Sequence, residues 1–244
     1  MKILAIDTSN QVLSVALLDD KKLLAQTTLN TNKNHSVTLM PTIASLMTQS
    51  KLEAKDLDKI IVAKGPGSYT GLRIGVTAAK TLAFTLDKQL VGVSSLELLA
   101  ANFDELTAKD QLLVPLFDAR RKNVFAGGYQ YLNHELKNVL SDKHISLKEL
   151  CELVKTKKPC FIGQDAKTLQ AQIESFCEGH EINFATSWFN YPQAYVLGGL
   201  GQNKPNEDIN SFVPSYLRLT QAEMQWLEKN PKENQLDAKY VEKV

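Results

Sequence analysis

Residues 65–75 read Gly65-Pro66-Gly67-Ser68-Tyr69-Thr70-Gly71-Leu72-Arg73-Ile74-Gly75. They follow the apolar run Ile60-Ile61-Val62-Ala63, which has the length and flanks of a buried strand. They lead into residues 72–84, which have helical spacing and no proline. The stretch therefore predicts strand, glycine turn and helix, the junction where open α/β sheets commonly place anion or ligand sites. Its spacing fits neither standard phosphate fingerprint. A P-loop needs Gly-x-x-x-x-Gly-Lys-Ser/Thr, but here Leu72-Arg73 follows the second glycine; the dinucleotide fingerprint needs Gly where Thr70 stands.

The helix carries a second signal. Gly71, Gly75, Ala79 and Ala83 recur every four residues and share one face. Glycine inside a helix costs about 1 kcal/mol relative to alanine, so two in the first turns imply that another backbone approaches closely. That backbone belongs either to the same domain or to another chain.

At 244 residues the chain is long enough for one large domain or two small ones. Its 43% hydrophobic and 23% charged content is ordinary for a globular protein. A net charge of +1 supplies no global field toward nucleic acid or an anionic membrane. The three cysteines, Cys151, Cys160 and Cys177, lack metal-type spacing and cannot all pair, which points to a reduced, cytoplasmic setting. The apolar start Ile3-Leu4-Ala5-Ile6 meets Asp7 too soon for a signal peptide, and no window has the length of a membrane span.

Outward from the glycine turn, strands are expected at 3–7, 12–18, 23–29, 60–63 and 90–93, with helices at 36–49, 72–84 and from Leu96. The order is β-β-β-α-β-α-β-α. A similar order recurs downstream, with strands at 112–117, 124–131, 136–140, 160–162 and 182–184 and helices at 146–155, 166–176 and 194–202. Ser146 and Glu149 form a capping-box pattern at the first of these helices. The expectation is an α/β fold of two related halves, residues 1–105 and 106–218, followed by a C-terminal helix and tail at 219–244.

That order resembles the actin-like ATPase (RNase H-like) superfamily. Within it, Ile3-Leu4-Ala5-Ile6-Asp7-Thr8-Ser9, Asn34-His35-Ser36, the 65–75 turn, Asp118 to Val124 and Pro214-Ser215-Tyr216-Leu217-Arg218 resemble the TsaB family, also called YeaZ. Such proteins serve the synthesis of threonylcarbamoyladenosine in tRNAs that read codons beginning with A. They are paralogues of TsaD, the transferase of that pathway. In TsaD-like chains the strand and helix after the turn read roughly Val-Gly-Val-Asn-His-Leu-Glu-Gly-His, and the two histidines bind a metal. Here Val91-Gly92-Val93-Ser94-Ser95-Leu96-Glu97-Leu98-Leu99 puts Ser95 and Leu99 at the ligand positions. The resemblance thus implies no catalytic residues, no metal and no intrinsic cofactor, with ATP entering only at the level of a complex. The nucleotide positions hold Asp7, Thr8 and Ser9 where active superfamily members have Asp-x-Gly-Thr/Ser, and Asp118-Ala119-Arg120 stands in place of a second Asp-x-Gly-Gly turn. For both aspartates the plainer role is strand-end hydrogen bonding.

The resemblance also implies partners: a TsaD-like catalytic subunit, a TsaE-like ATPase, a second copy of the chain as homodimer, tRNA only through the complex, and no membrane. The expected interface uses the 36–49 and 71–86 helices. Its candidate residues are Gly67, Tyr69, Gly71, Leu72, Arg73, Gly75, Val76, Ala79, Lys80 and Ala83. On this reading Gly75→Leu breaks the partner contact and leaves the isolated chain folded. The alternative is a degenerate actin-like ATPase or a glycoprotease-type peptidase, though no Gly-x-Ser-x-Gly elbow is present. His35 reads as structural, and His134, His144 and His180 form no metal-spaced pair. Arg120-Arg121-Lys122 is the only tight basic triplet.

Overall fold

The computed structural model describes residues 1–31, 34–108 and 110–218. Three antiparallel strands open the chain, β1 (Lys2–Asp7), β2 (Leu13–Asp19) and β3 (Lys22–Leu29). Then follow α1 (His35–Gln49), β4 (Lys59–Gly65), α2 (Tyr69–Leu86), β5 (Gln89–Ser94) and α3 (Ser95–Ala100). β4 pairs in parallel with β1, and β5 with β4, giving the order β3-β2-β1-β4-β5. The second half comprises β6 (Leu112–Asp118), β7 (Asn123–Leu132), β8 (Glu135–Ser146), α4 (Leu147–Val154), β9 (Pro159–Ile162), α5 (Gln164–Thr168), α6 (Gln170–Phe176), β10 (Asn183–Phe184) and α7 (Ala194–Gly201). Its sheet, β10-β9-β6-β7-β8, has the same order read from the other edge. The fold is a duplicated α/β arrangement of two five-stranded sheets.

The period-2 rule for strands explains the layering. In β1 and β4, Leu4, Ile6, Ile60 and Val62 face one core, beneath α1 and α2. Ile3, Ala5, Ile61 and Ala63 face the other, beneath α7. Central strands buried on both sides read as continuous apolar runs, as these do. The helices are exchanged between halves. α7, from the second half, packs on β1 and β2, while α3, from the first, packs on β6 and β7. Leu96 and Leu99 thereby join Leu113, Phe117 and Tyr129 in a shared core.

Residues 207–217 form a strap that returns to the first half. Glu207 N donates to Leu90 O at 2.8 Å, and Ser215 N to Lys64 O at 2.7 Å. Lys64 Nζ meets Glu207 Oε1 at 2.9 Å. Phe212, only 6% exposed, inserts into the core under α2.

Two elements differ from expectation. β8 runs to Ser146 and not only to residue 140, because β7 and β8 keep pairing past register shifts at 126–129. The helix expected at 166–176 breaks at Leu169 (φ −93°, ψ 4°), whose side chain turns into the second core. The expected C-terminal helix and tail at 219–244 lie outside the described residues.

Phe212→Ala is expected to cost about 3–5 kcal/mol in urea unfolding, the range for truncating a buried Phe. A loss under about 1 kcal/mol would mean that the strap does not hold the core.

Candidate functional site

The glycine turn is enclosed on two sides. Ser68 N donates to Ser9 O at 2.7 Å, and Thr8 Oγ1 donates to Gly71 O at 2.7 Å. A Cβ on Gly67 would lie 2.1 Å from Ser9 O, one on Gly71 2.1 Å from Thr8 O, and one on Gly75 2.2 Å from Thr8 Oγ1. On the opposite side, a Cβ on Gly65 would fall 2.6 Å from Ser215 O of the strap. The close backbone approach that two helical glycines demand is therefore met inside the chain. α2 itself starts where Ser68 caps it, its hydroxyl accepting from Gly71 N.

This corrects the expected use of the small-residue face. Gly71, Leu72, Gly75, Val76, Ala79 and Ala83 are all buried against the chain's own first sheet and its β1 turn. Gly75→Leu would drive a side chain into Thr8 and damage the fold before it touched any partner. Of the other four interface candidates, Tyr69, Arg73 and Lys80 lie along the strap. Gly67 is half-buried against Ser9. Tyr69 stacks on Tyr216 at 4.9 Å, under the Arg73 guanidinium at 4.5 Å. Arg73 Nε donates to Tyr216 Oη at 3.3 Å. Lys80 Nζ donates to the carbonyls of Asn210 and Phe212 at 2.9 and 3.1 Å.

The face of α2 that does reach solvent carries Thr77, Thr81 and Phe84, the last 70% exposed. Beside it, α1 buries Leu39, Ile43, Leu46 and Met47 but leaves Val37 67% and Met40 47% exposed. These outward apolar residues are missing from the ten candidates. Their signal was available: Val37 and Met40 fall outside the stripe that faces the sheet.

Asp7, Thr8 and Ser9 are brought together, but beneath the glycine turn and away from solvent. Asp7 Oδ1 accepts from Ser9 N at 2.7 Å. Asp7 Oδ2 and Ser9 Oγ are buried without a hydrogen-bond partner. Burial raises the Asp7 carboxyl to about 6, against a smaller lowering from the Ser9 bond. Of Asp7, Thr8 and Ser9, only Ser9 lines the open cleft between the halves, about 640 Å³, together with Ser68, Asp118, Arg120, Asp165 and Arg218. Asp118 repeats the Asp7 pattern: its Oδ1 accepts from Arg120 N, two residues on, at 2.8 Å. Strand-end hydrogen bonding is thus the observed role of both aspartates. In the second turn Arg120, Arg121 and Lys122 have φ of 67°, 53° and 62°. Left-handed backbone costs non-glycine residues roughly 1 kcal/mol each.

Ser95 and Leu99, one turn apart on α3, are both 1% exposed in the shared core, and Ser95 Oγ has no hydrogen-bond partner. His35 Nε2 lies 2.8 Å from Asn10 O and ties α1 to the β1 turn. Among the described residues, no group of three His, Cys, Asp or Glu is placed to hold a metal ion. The three cysteines are free and buried. No helix among the described residues is long and apolar enough to cross a membrane.

A family model described as TsaD, tRNA N6-adenosine threonylcarbamoyltransferase, matches residues 22–226. The chain is 45% identical over 230 residues to the tRNA threonylcarbamoyladenosine biosynthesis protein TsaB of Bacillus subtilis, covering 93% of this chain and 99% of that protein. The chain belongs to the TsaB family. The Escherichia coli protein of the same name is 33% identical over 130 residues, 53% of this chain and 55% of that one. The solved structure of YeaZ from Pseudomonas aeruginosa matches with a TM-score of 0.72 at 23% identity, over 88% of this chain and 99% of that chain, which shows a common fold.

Gly71→Ala is expected to destabilise the chain by about 1–3 kcal/mol, because the added methyl meets backbone and not a movable side chain. A neutral effect in thermal unfolding would contradict the packing. Asp7 gives a pH signature. Its folded carboxyl, at about 6 against an ordinary 3.8, binds a proton more readily than in the unfolded chain, so its contribution to stability declines as pH rises from about 4 to 6. Asp7→Asn removes that slope. Its stability relative to the parent should be about 2 kcal/mol more favourable at pH 8 than at pH 4, and a difference that does not vary with pH would refute the buried ionisation.

Proposed function

We propose that this chain is a non-catalytic scaffold subunit of the cytoplasmic machinery that makes threonylcarbamoyladenosine in tRNA. It supports a TsaD-like transferase, with a TsaE-like ATPase joining the pair and tRNA engaged through the assembly. The observation that carries this reading is the outer face of α1 and α2. Val37, Met40 and Phe84, 67%, 47% and 70% exposed, stand on adjacent helices that together cover one face of the first sheet. Phe84, Thr77 and Thr81 line an open groove with Arg73, Lys80 and the strap residues Phe212 and Val213, and exposed apolar side chains beside such a groove suit a subunit interface. Membership in the TsaB family supplies the pathway, since its relatives are named as biosynthesis proteins for that modification. The same face serves a homodimer when the paralogue is absent, because structurally related partners can share one surface.

The competing reading is a degenerate actin-like ATPase or a glycoprotease-type peptidase, with its chemistry in the cleft between the halves. One P. aeruginosa structure is described as similar to a peptidase YeaZ. Against the ATPase, the turn that would cradle phosphate is closed by Ser9 and Thr8. Titration of the lone chain with ATP and Mg²⁺ separates the readings: heat at micromolar affinity revives the enzyme, and silence favours the scaffold.

Phe84→Glu combined with Met40→Glu should weaken association with the TsaD-like subunit at least about 100-fold, the scale of losing two interface anchors. Circular dichroism should be unchanged and stability should shift by less than about 0.5 kcal/mol, as for surface positions. Undiminished co-purification would sink the interface assignment.

A further inference from the structure

The β6–β7 turn holds three consecutive cationic residues in the left-handed region, Arg120, Arg121 and Lys122. No other run of three non-glycine residues does so among the described residues. Glycine, asparagine and aspartate are the residues that tolerate such backbone. Here the backbone is locked from several sides. Asn123 N donates to Arg120 O at 3.0 Å, Ala119 N to Asn123 O at 2.9 Å, and Leu147 N to Lys122 O at 3.0 Å. Arg218 reinforces the base of the turn, donating to Ala119 O at 2.9 Å. The outcome is a rigid loop whose exposed cations border a hollow of about 310 Å³, also lined by Asp118, Asn123 and Gln172.

The acidic groups nearby are already engaged. Asp118 pairs with Arg120 at 3.3 Å, Asp165 accepts from Asp118 N at 2.8 Å, and Glu149 caps Ser146. Among the described residues Arg121 and Lys122 have no ion pair, and Lys148 follows the Leu147 that anchors the turn. Arg121 and Lys122, exposed beside the Asp118–Arg120 pair and without an ion pair of their own, suit a polyanion with repeated phosphates. With a net charge of +1 the rest of the chain adds little, so the contact is local and supplementary.

We infer that the Arg120–Arg121–Lys122 turn is a phosphate-backbone contact for the tRNA substrate of the assembly. The inference rests on the proposed pathway and adds a direct RNA contact to a subunit otherwise assigned only protein partners. It concerns positioning of the RNA and not base recognition, since side chains on a turn outside any groove reach phosphates first.

The test exploits the backbone. The triple variant Arg120→Gly, Arg121→Gly, Lys122→Gly removes the cations and suits the left-handed turn, so its folding should not suffer. With the chain assembled on its TsaD-like subunit, binding of an unmodified tRNA is titrated between 50 and 200 mM salt. The expected result is affinity reduced about tenfold at 100 mM, and a salt slope shallower by about 2, as for two lost phosphate contacts. Unchanged affinity and slope in a complex that still assembles would overturn the inference. Loss of a protein subunit with RNA affinity retained would also overturn it, assigning the turn to an acidic protein face. If the parent chain does not assemble with the transferase, the proposed function fails. The same tRNA titrated against the lone chain at low salt then decides the inference: weaker binding by the triple variant upholds it, and equal binding overturns it.

Discussion

The structure depends on the packing of the 65–71 turn between the β1 turn and the strap. Backbone atoms of Thr8, Ser9 and Ser215 occupy the volumes that side chains would need at Gly71, Gly67 and Gly65. That fit sets the distance between α2 and β1, and with it the depth of the core that receives Phe212. It also sets the surface. Once the small-residue face of α2 is consumed within the chain, only the opposite face, with Thr77, Thr81 and Phe84, is left for another molecule.

The same packing explains the electrostatics of the first turn. Asp7 is sealed from water with one oxygen unpartnered, so desolvation dominates over its bond to Ser9 and its carboxyl titrates near 6. The second half repeats the motif at Asp118 with a different result. There the turn is open, its carboxylate is answered by Arg120, and the residues that follow are exposed cations on left-handed backbone. Duplication has thus produced one closed turn that organises packing and one open turn that presents charge. Fold duplication alone does not fix the role of either.

The order of elements was legible because it rests on local signals. Unbroken apolar runs in β1 and β4 and the Ser146–Glu149 capping box each report a nearby physical requirement. The length of β8 was not legible, since its polar residues follow the pairing of β7 and not their own propensity. Nor was the break at Leu169, where the residue itself is a good helix former and the second core decides its conformation. Ser95 and Leu99 could be read as replaced ligand positions, but not as members of a core shared by the two halves.

By itself, the sequence determined the fold class, the duplicated order, the family and the need for a close backbone approach at Gly71 and Gly75. The family follows from the resemblance of whole motifs, and the rest from periodicity and residues whose conformational limits are intrinsic. Which backbone makes that approach was decided only by the tertiary structure. A glycine records that space is needed, not what fills it; Thr8 and Ser9, some sixty residues upstream, fill it here through contacts that no local pattern encodes.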